Sequence, residues 1–234
     1  VTHDVPIADR PVPVPAGARL VLYFGGTFDP PHQAHVALPA AARDATGADH
    51  LLYVPTGQNP LKGASPRATD RQRLDMLALA LRGADRASIW TRELSLDDRA
   101  PTGPDPTPSF TIDTIRALRD ELPSACAVRL LIGADQAAQF HRWRDADRLL
   151  VLADPLVMLR PPDETPDDLA ERLRDHWPAP ELDRWRARCL PIPTIDLAST
   201  GLRAALADPA RTRNAPLPEA VGRYIAENGL YRSG

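Results

Sequence analysis

Short continuous apolar runs alternate along this chain with longer segments whose apolar residues recur every three or four positions. The first run, Leu20 to Phe24, ends at Gly25-Gly26 and predicts a buried parallel strand stopping in a tight turn. Ala34 to Ala45 has helical character, with Pro39 inside it expected to kink or locally distort the helix. Leu51 to Val54 predicts a second strand. Thr69 to Leu81 predicts a helix carrying Leu74, Leu77, Ala78 and Leu81 on one face, and Ala87 to Trp90 a third strand. A charged, proline-rich surface loop from Leu96 to Pro108 precedes a helix at Thr111 to Leu122, marked by Ile112, Ile115, Leu118 and Leu122.

The second half continues the alternation. Strands are expected at Val128 to Ile132, Asp147 to Ala153 and Cys189 to Ile195, the last at a sheet edge because Pro191 and Pro193 lack ladder donors. Helices are expected at Pro166 to His176, Ser199 to Leu206 and Pro218 to Glu227, the last closed by Asn228-Gly229. The pattern predicts an α/β fold, a mostly parallel sheet with helices on both faces. Val1 to Ala18, with four prolines in a polar context, reads as a flexible leader without a core, leaving 19–234 as a single domain.

Composition narrows the function classes. Lys and Arg total 28 against 31 Asp and Glu, a net charge of −3, so the basic surplus of a duplex-binding protein is missing and no nucleic-acid partner is expected. Local cations can still hold a small anionic substrate. No apolar run is long enough to span a bilayer and no basic-then-apolar leader is seen, so no membrane partner is expected. Cys126 and Cys189 stand far apart outside any metal-binding spacing, which reads as free thiols in a reducing compartment, the cytoplasm. Nothing in the sequence selects an oligomeric state.

The turn after the first strand carries the candidate chemistry. In Gly25-Gly26-Thr27-Phe28-Asp29-Pro30-Pro31-His32-Gln33-Ala34-His35 the spacing is neither GxGxxG nor a P-loop. Two glycines let backbone pass close to a bulky ligand, and two prolines stiffen the approach to a helix whose free amides favour an anion. His32 and His35 fall on one face of a helical first turn, where two imidazoles can hydrogen-bond phosphate oxygens. Against this stand two surface histidines, a capping cluster, or a metal site completed by Asp29, the last short of ligands.

These residues resemble the HxGH-type signature of the nucleotidyltransferase superfamily that includes the nicotinate-nucleotide adenylyltransferases, with Ala34 where glycine is usual. Further segments in the same order are similar to that family. Pro55 to Lys62 resembles its PxxxPPHK loop, with Leu61 in place of histidine, and Pro108 to Thr114 its PSYT segment, with Phe110 in place of Tyr. Leu131 to Asp135 resembles IIGxD, Phe140 to Trp143 FxxW, Asp196 to Arg203 ISSTxxR with Ala198 in place of serine, and Pro216 to Tyr231 the structural tail. Taken singly, Lys62 also reads as a solvated loop lysine, Trp143 as a core residue, and Ser109, Thr111, Ser199 and Thr200 as helix caps.

The resemblance implies a Rossmann-like nucleotidyltransferase that moves the adenylyl group of ATP to nicotinate mononucleotide, giving deamido-NAD and pyrophosphate. It implies that His32, His35, Lys62 and Arg203 serve catalysis, that Gly25, Gly26, Thr27, Phe28, Gly133, Asp135, Ser199 and Thr200 bind ATP, and that Phe110, Thr111, Trp143 and Arg144 line the nicotinate pocket. Mg2+ is expected to arrive with ATP, held by triphosphate oxygens and water, and no protein metal site is expected. Alternatives are transfer to nicotinamide mononucleotide or phosphopantetheine, or a non-catalytic nucleotide sensor on the same fold.

Overall fold

The computed structural model describes residues 5–57, 66–96, 109–195, 199–207 and 215–231. Its sheet contains strands β1 (Ile7–Ala8), β2 (Leu20–Gly26), β3 (His50–Pro55), β4 (Ala87–Trp90), β5 (Ala127–Gly133) and β6 (Pro155–Met158). All neighbours pair in parallel, in the order β1-β4-β3-β2-β5-β6. The helices are α1 (Gln33–Thr46), α2 (Asp70–Ala80), α3 (Thr111–Glu121), α4 (Ala134–Ala137), α5 (Ala146–Leu152), α6 (Pro166–Leu173), α7 (Ala179–Arg188), α8 (Ser199–Leu206) and α9 (Glu219–Glu227). None of these is long and apolar enough to cross a membrane.

Period-two alternation sends each central strand's side chains to two cores. Val21 and Tyr23 of β2, Leu52 and Val54 of β3, and Val128, Leu130 and Ile132 of β5 pack with Ile112, Ile115 and Leu118 of α3. On the other face Leu22, Phe24, Leu51, Tyr53 and Leu131 meet Ala34, Leu38 and Ala42 of α1 with Leu74 and Leu77 of α2. A third cluster lies off the sheet, where Leu202 and Leu206 of α8 and Val221 and Ile225 of α9 cover Met76 and Ala80 of α2.

Two expected strands are corrected. Asp147 to Ala153 is not a strand: its residues fall mainly in α5, whose Leu149 is fully buried while Val151 is 78% exposed, the one-sided burial of a helix. A short apolar run does not distinguish the two states. The true strand is β6, with Pro155 at its first position, where a missing donor is tolerated. Cys189 to Ile195 forms no strand; Cys189 makes an isolated bridge to Val157, and Pro191 and Pro193 cannot extend it. Helix α7 lies where the polar sequence gave no period.

The N-terminal leader is also corrected. Within it Ile7–Ala8 forms the edge strand β1 against β4, and Val5 and Val12 are buried. Trp90 Nε1 donates to the Asp9 carbonyl at 2.7 Å, and Val12 N–H donates to Glu121 Oε2 at 2.6 Å. Pro39 does not break α1. The His35 carbonyl that Pro39 cannot pair receives the Tyr53 hydroxyl at 3.0 Å.

Truncation through Val12 is expected to lower the unfolding free energy by at least about 2 kcal/mol, because two valines lose their burial. An unchanged denaturant midpoint would return this segment to the role of a passive leader.

Candidate active site

The chain crosses from one side of β2 to the other between β4 and β5, so the strand order reverses at the β2–β5 boundary. Open parallel sheets hold ligands in the crevice beyond the carboxyl ends of the strands at such a reversal. Gly25 and Gly26 close β2 at this edge, Gly133 closes β5, and α1 and α4 begin beside them.

The loop between β2 and α1 is held from three directions. Arg73 of α2, its side chain fully buried, donates from Nη1 to the Thr27 carbonyl at 2.7 Å and from Nη2 to Asp70 at 2.7 Å. The buried Asp29 carboxylate accepts from the Arg67 N–H (2.8 Å), the Ala68 N–H (3.2 Å) and the Tyr231 hydroxyl (2.6 Å). Arg203 of α8 donates from Nη1 to the Asp29 carbonyl at 2.8 Å. Between these anchors Phe28 sits at φ 49°, a left-handed conformation unusual for a bulky residue. Its buried ring meets His35 edge-on at 5.1 Å and Phe24 at 5.7 Å, and this packing helps hold the strained backbone in place.

His32 and His35 emerge from this loop as a stacked pair, ring centroids 3.7 Å apart. His32 N–H donates to His35 Nδ1 at 3.2 Å, and His35 N–H donates to the His32 carbonyl at 2.9 Å. The capping reading of this pair thus holds for His35, and it fixes a tautomer. An accepting Nδ1 carries no proton, so the ring proton of His35 is on Nε2. His32 is 3% exposed, and burial reinforced by the nearby Arg160 charge lowers its pKa to about 4. Its Nδ1 is buried without a partner among the described residues.

Past β5, Asp135 pairs with Arg160 Nη2 at 3.1 Å. The Asp135 side chain folds back over Gly133, where a Cβ would lie 2.7 Å from Oδ1 and the carboxylate would have to turn aside. Arg160 follows β6 and was missed because the apolar run of α5 was taken for the strand, leaving Arg160 in an unassigned loop. Arg73 was missed because an arginine inside an amphipathic helix gives no signal that its head is buried under a distant loop.

On the other face of the sheet Phe110 is the residue before α3 and Thr111 its first residue, with no side-chain cap at this end. The Arg144 guanidinium lies over the Phe110 ring at 4.7 Å and reaches Asp113 at 3.7 Å. Trp143, half-buried, stacks on Phe140 at 5.1 Å. The structure therefore gathers Gly25, Gly26, Thr27, Phe28, His32, His35 and Arg203 around one loop, with Gly133 and Asp135 across the crevice. Phe110, Thr111 and Arg144 form a second group. Ser199 and Thr200 open α8 one turn before Arg203, and Lys62 lies outside the described residues.

A switch-point crevice with an imidazole pair and a guanidinium at one loop describes a nucleotide-handling α/β protein. Residues 23–187 match the cytidylyltransferase-like family. A probable nicotinate-nucleotide adenylyltransferase of Chromobacterium violaceum is 35% identical over 216 residues, 89% of this chain and 97% of that protein. Its counterpart in Hydrogenovibrio crunogenus is 34% identical over 220 residues, 92% and 98% of the two chains. The nicotinic acid mononucleotide adenylyltransferase of Plasmodium falciparum, solved in complex with NaAD, shares the fold with a TM-score of 0.66 at 14% identity, over 91% of this chain and 97% of that one. The chain is a nucleotidyltransferase of the cytidylyltransferase-like class. Within that class it belongs to the nicotinate-nucleotide adenylyltransferase family.

The buried histidines set a pH dependence. His50 at the start of β3, 2.7 Å from Ser88 Oγ, is likewise lowered to about 4 by burial. Both rings stay neutral in the folded protein while the unfolded chain protonates near its ordinary pKa of about 6.5. Stability is therefore complete above that value and lost as pH falls towards 4, by about 1.4 kcal/mol per pH unit for each ring. Calorimetry across this window should show proton uptake on unfolding to which these two rings add about one proton each, and His50→Gln should remove one of them.

Proposed function

We propose that the chain transfers the adenylyl group of ATP to nicotinate mononucleotide, forming deamido-NAD and pyrophosphate. One observation carries the reading: Arg203 reaches the carbonyl of Asp29, which brings the arginine of the ISSTxxR-like segment onto the loop that presents His32 and His35. The named substrate of the curated relatives supplies the choice of acceptor.

In the proposed step a 5′-phosphate oxygen of the mononucleotide attacks the α-phosphorus of ATP in line. The bond from that phosphorus to the bridging oxygen breaks, and pyrophosphate leaves. No side chain becomes a covalent intermediate, so the protein contributes position and charge. His35 donates from Nε2 to the phosphate region. The unpartnered Nδ1 of buried His32 gains the partner a buried polar atom requires. Arg203 and Lys62 neutralise the departing pyrophosphate, and Ser199 and Thr200 bring the amides of a helix start to the same phosphates. Phe110, Thr111, Trp143 and Arg144 serve the pyridine end.

Both crevice carboxylates are already committed, Asp29 to three donors and Asp135 to Arg160. Among the described residues no three metal-ligating side chains gather. Mg2+ is proposed to enter on the triphosphate, as part of the nucleotide substrate. Cys126 and Cys189 are both free thiols, which supports a cytoplasmic setting.

Pyrophosphate release with ATP and nicotinate mononucleotide tests the reading. His35→Ala is expected to lower kcat by about a hundredfold or more while shifting Tm little. Near-wild-type turnover in that variant would remove the phosphate role, and faster turnover with nicotinamide mononucleotide than with the nicotinate form would reassign the acceptor.

A further inference from the structure

Glu93 lies in the loop after β4, outside every motif that the sequence singled out. Its Oε1 accepts two hydrogen bonds from different elements, the Tyr23 hydroxyl on β2 at 3.1 Å and Thr114 Oγ1 in the first turn of α3 at 2.6 Å. Burial and the Glu93 charge push the Tyr23 phenol well up, so it remains a donor at physiological pH. The backbone of Glu93 engages a third element. A Cβ on Gly57, just past β3, would lie 2.5 Å from the Glu93 carbonyl oxygen and 3.6 Å from Ser109 Oγ, an approach open only to glycine.

One residue thus ties β2, the end of β3 and the start of α3 together. The start of α3 carries Phe110 and Thr111, with Arg144 over the Phe110 ring. At the same junction Thr56 Oγ1 and Ser109 Oγ are buried with no partner among the described residues. Buried hydroxyls left unpaired are costly, and two at one junction point to a polar ligand that completes them. The histidine pair belongs to the opposite side of the sheet: Tyr23 joins the core under α3, whereas Phe24 joins the core that meets His35.

We propose that Glu93 is a positioning residue for the acceptor subsite, holding the first turn of α3 against β2 so that Phe110, Thr111 and the Ser109 and Thr56 hydroxyls receive the mononucleotide rather than ATP. The inference rests on the adenylyl-transfer reading above. Steady-state kinetics on the full chain, varying each substrate in turn, separates a positioning role from a merely structural one. In Glu93→Gln and Thr114→Val the KM for the mononucleotide is expected to rise about tenfold, with the KM for ATP within about twofold of wild type. Thr114→Ser keeps the hydroxyl and should restore wild-type KM, and the Thr114 pair carries the test if Glu93→Gln fails to fold. Equal rises in both KM values, or a Thr114→Ser variant as impaired as Thr114→Val, would overturn the role of Glu93 alone. A wild-type protein that releases no pyrophosphate with any mononucleotide would overturn the adenylyl-transfer reading beneath it.

Discussion

The buried carboxylate of Asp29 is the constraint on which the site depends. A charge removed from water is costly unless donors surround it, and hydrogen bonds to a charged group are worth roughly twice neutral ones. Asp29 obtains its donors from two backbone amides before α2 and from Tyr231 near the end of the chain. Its own carbonyl takes Arg203. The turn after β2 is therefore completed by residues about 40, 170 and 200 positions away in sequence.

That dependence explains the position of the third core cluster. Helices α8 and α9 cover α2 rather than the sheet, which at first sight leaves them peripheral to the crevice. Their packing is what delivers Arg203 and Tyr231 to Asp29. Arg73, fully buried on α2, secures the neighbouring carbonyl of Thr27 from the same side. The stacked histidines are presented by a loop fixed from beneath. His32 stays neutral because burial and Arg160 disfavour its charged form. A neutral ring both donates and accepts, which suits a group that must hold phosphate oxygens without trapping them.

Much of this was legible in the sequence, and the parts that were not share a cause. Central strands such as Leu20–Gly26 announce themselves because burial on both faces demands unbroken apolar runs. The same rule misassigned α5, whose apolar run lies flat on the core with Val151 exposed, and thereby displaced β6 and concealed Arg160. The edge strand Ile7–Ala8 is too short and too rich in flanking prolines to produce a period. Among the site residues, the histidine pair was visible because its spacing at a helix start has chemical meaning, and Arg203 through the resemblance of its segment to ISSTxxR. Asp29 was seen only as a weak metal ligand, since its partners come from remote segments that no local pattern connects. Glu93 escaped for the same reason.

The central claim is that His32 and His35, presented by the loop that Asp29 holds, receive the triphosphate. Nitrogen-15 NMR of the histidine rings during titration with Mg2+ and a non-hydrolysable ATP analogue reads this directly. The account predicts that the ring resonances of His32 and His35 move together as the analogue saturates, while those of His50, buried at the far end of β3, stay in place. Saturation that leaves both crevice rings unmoved would contradict it.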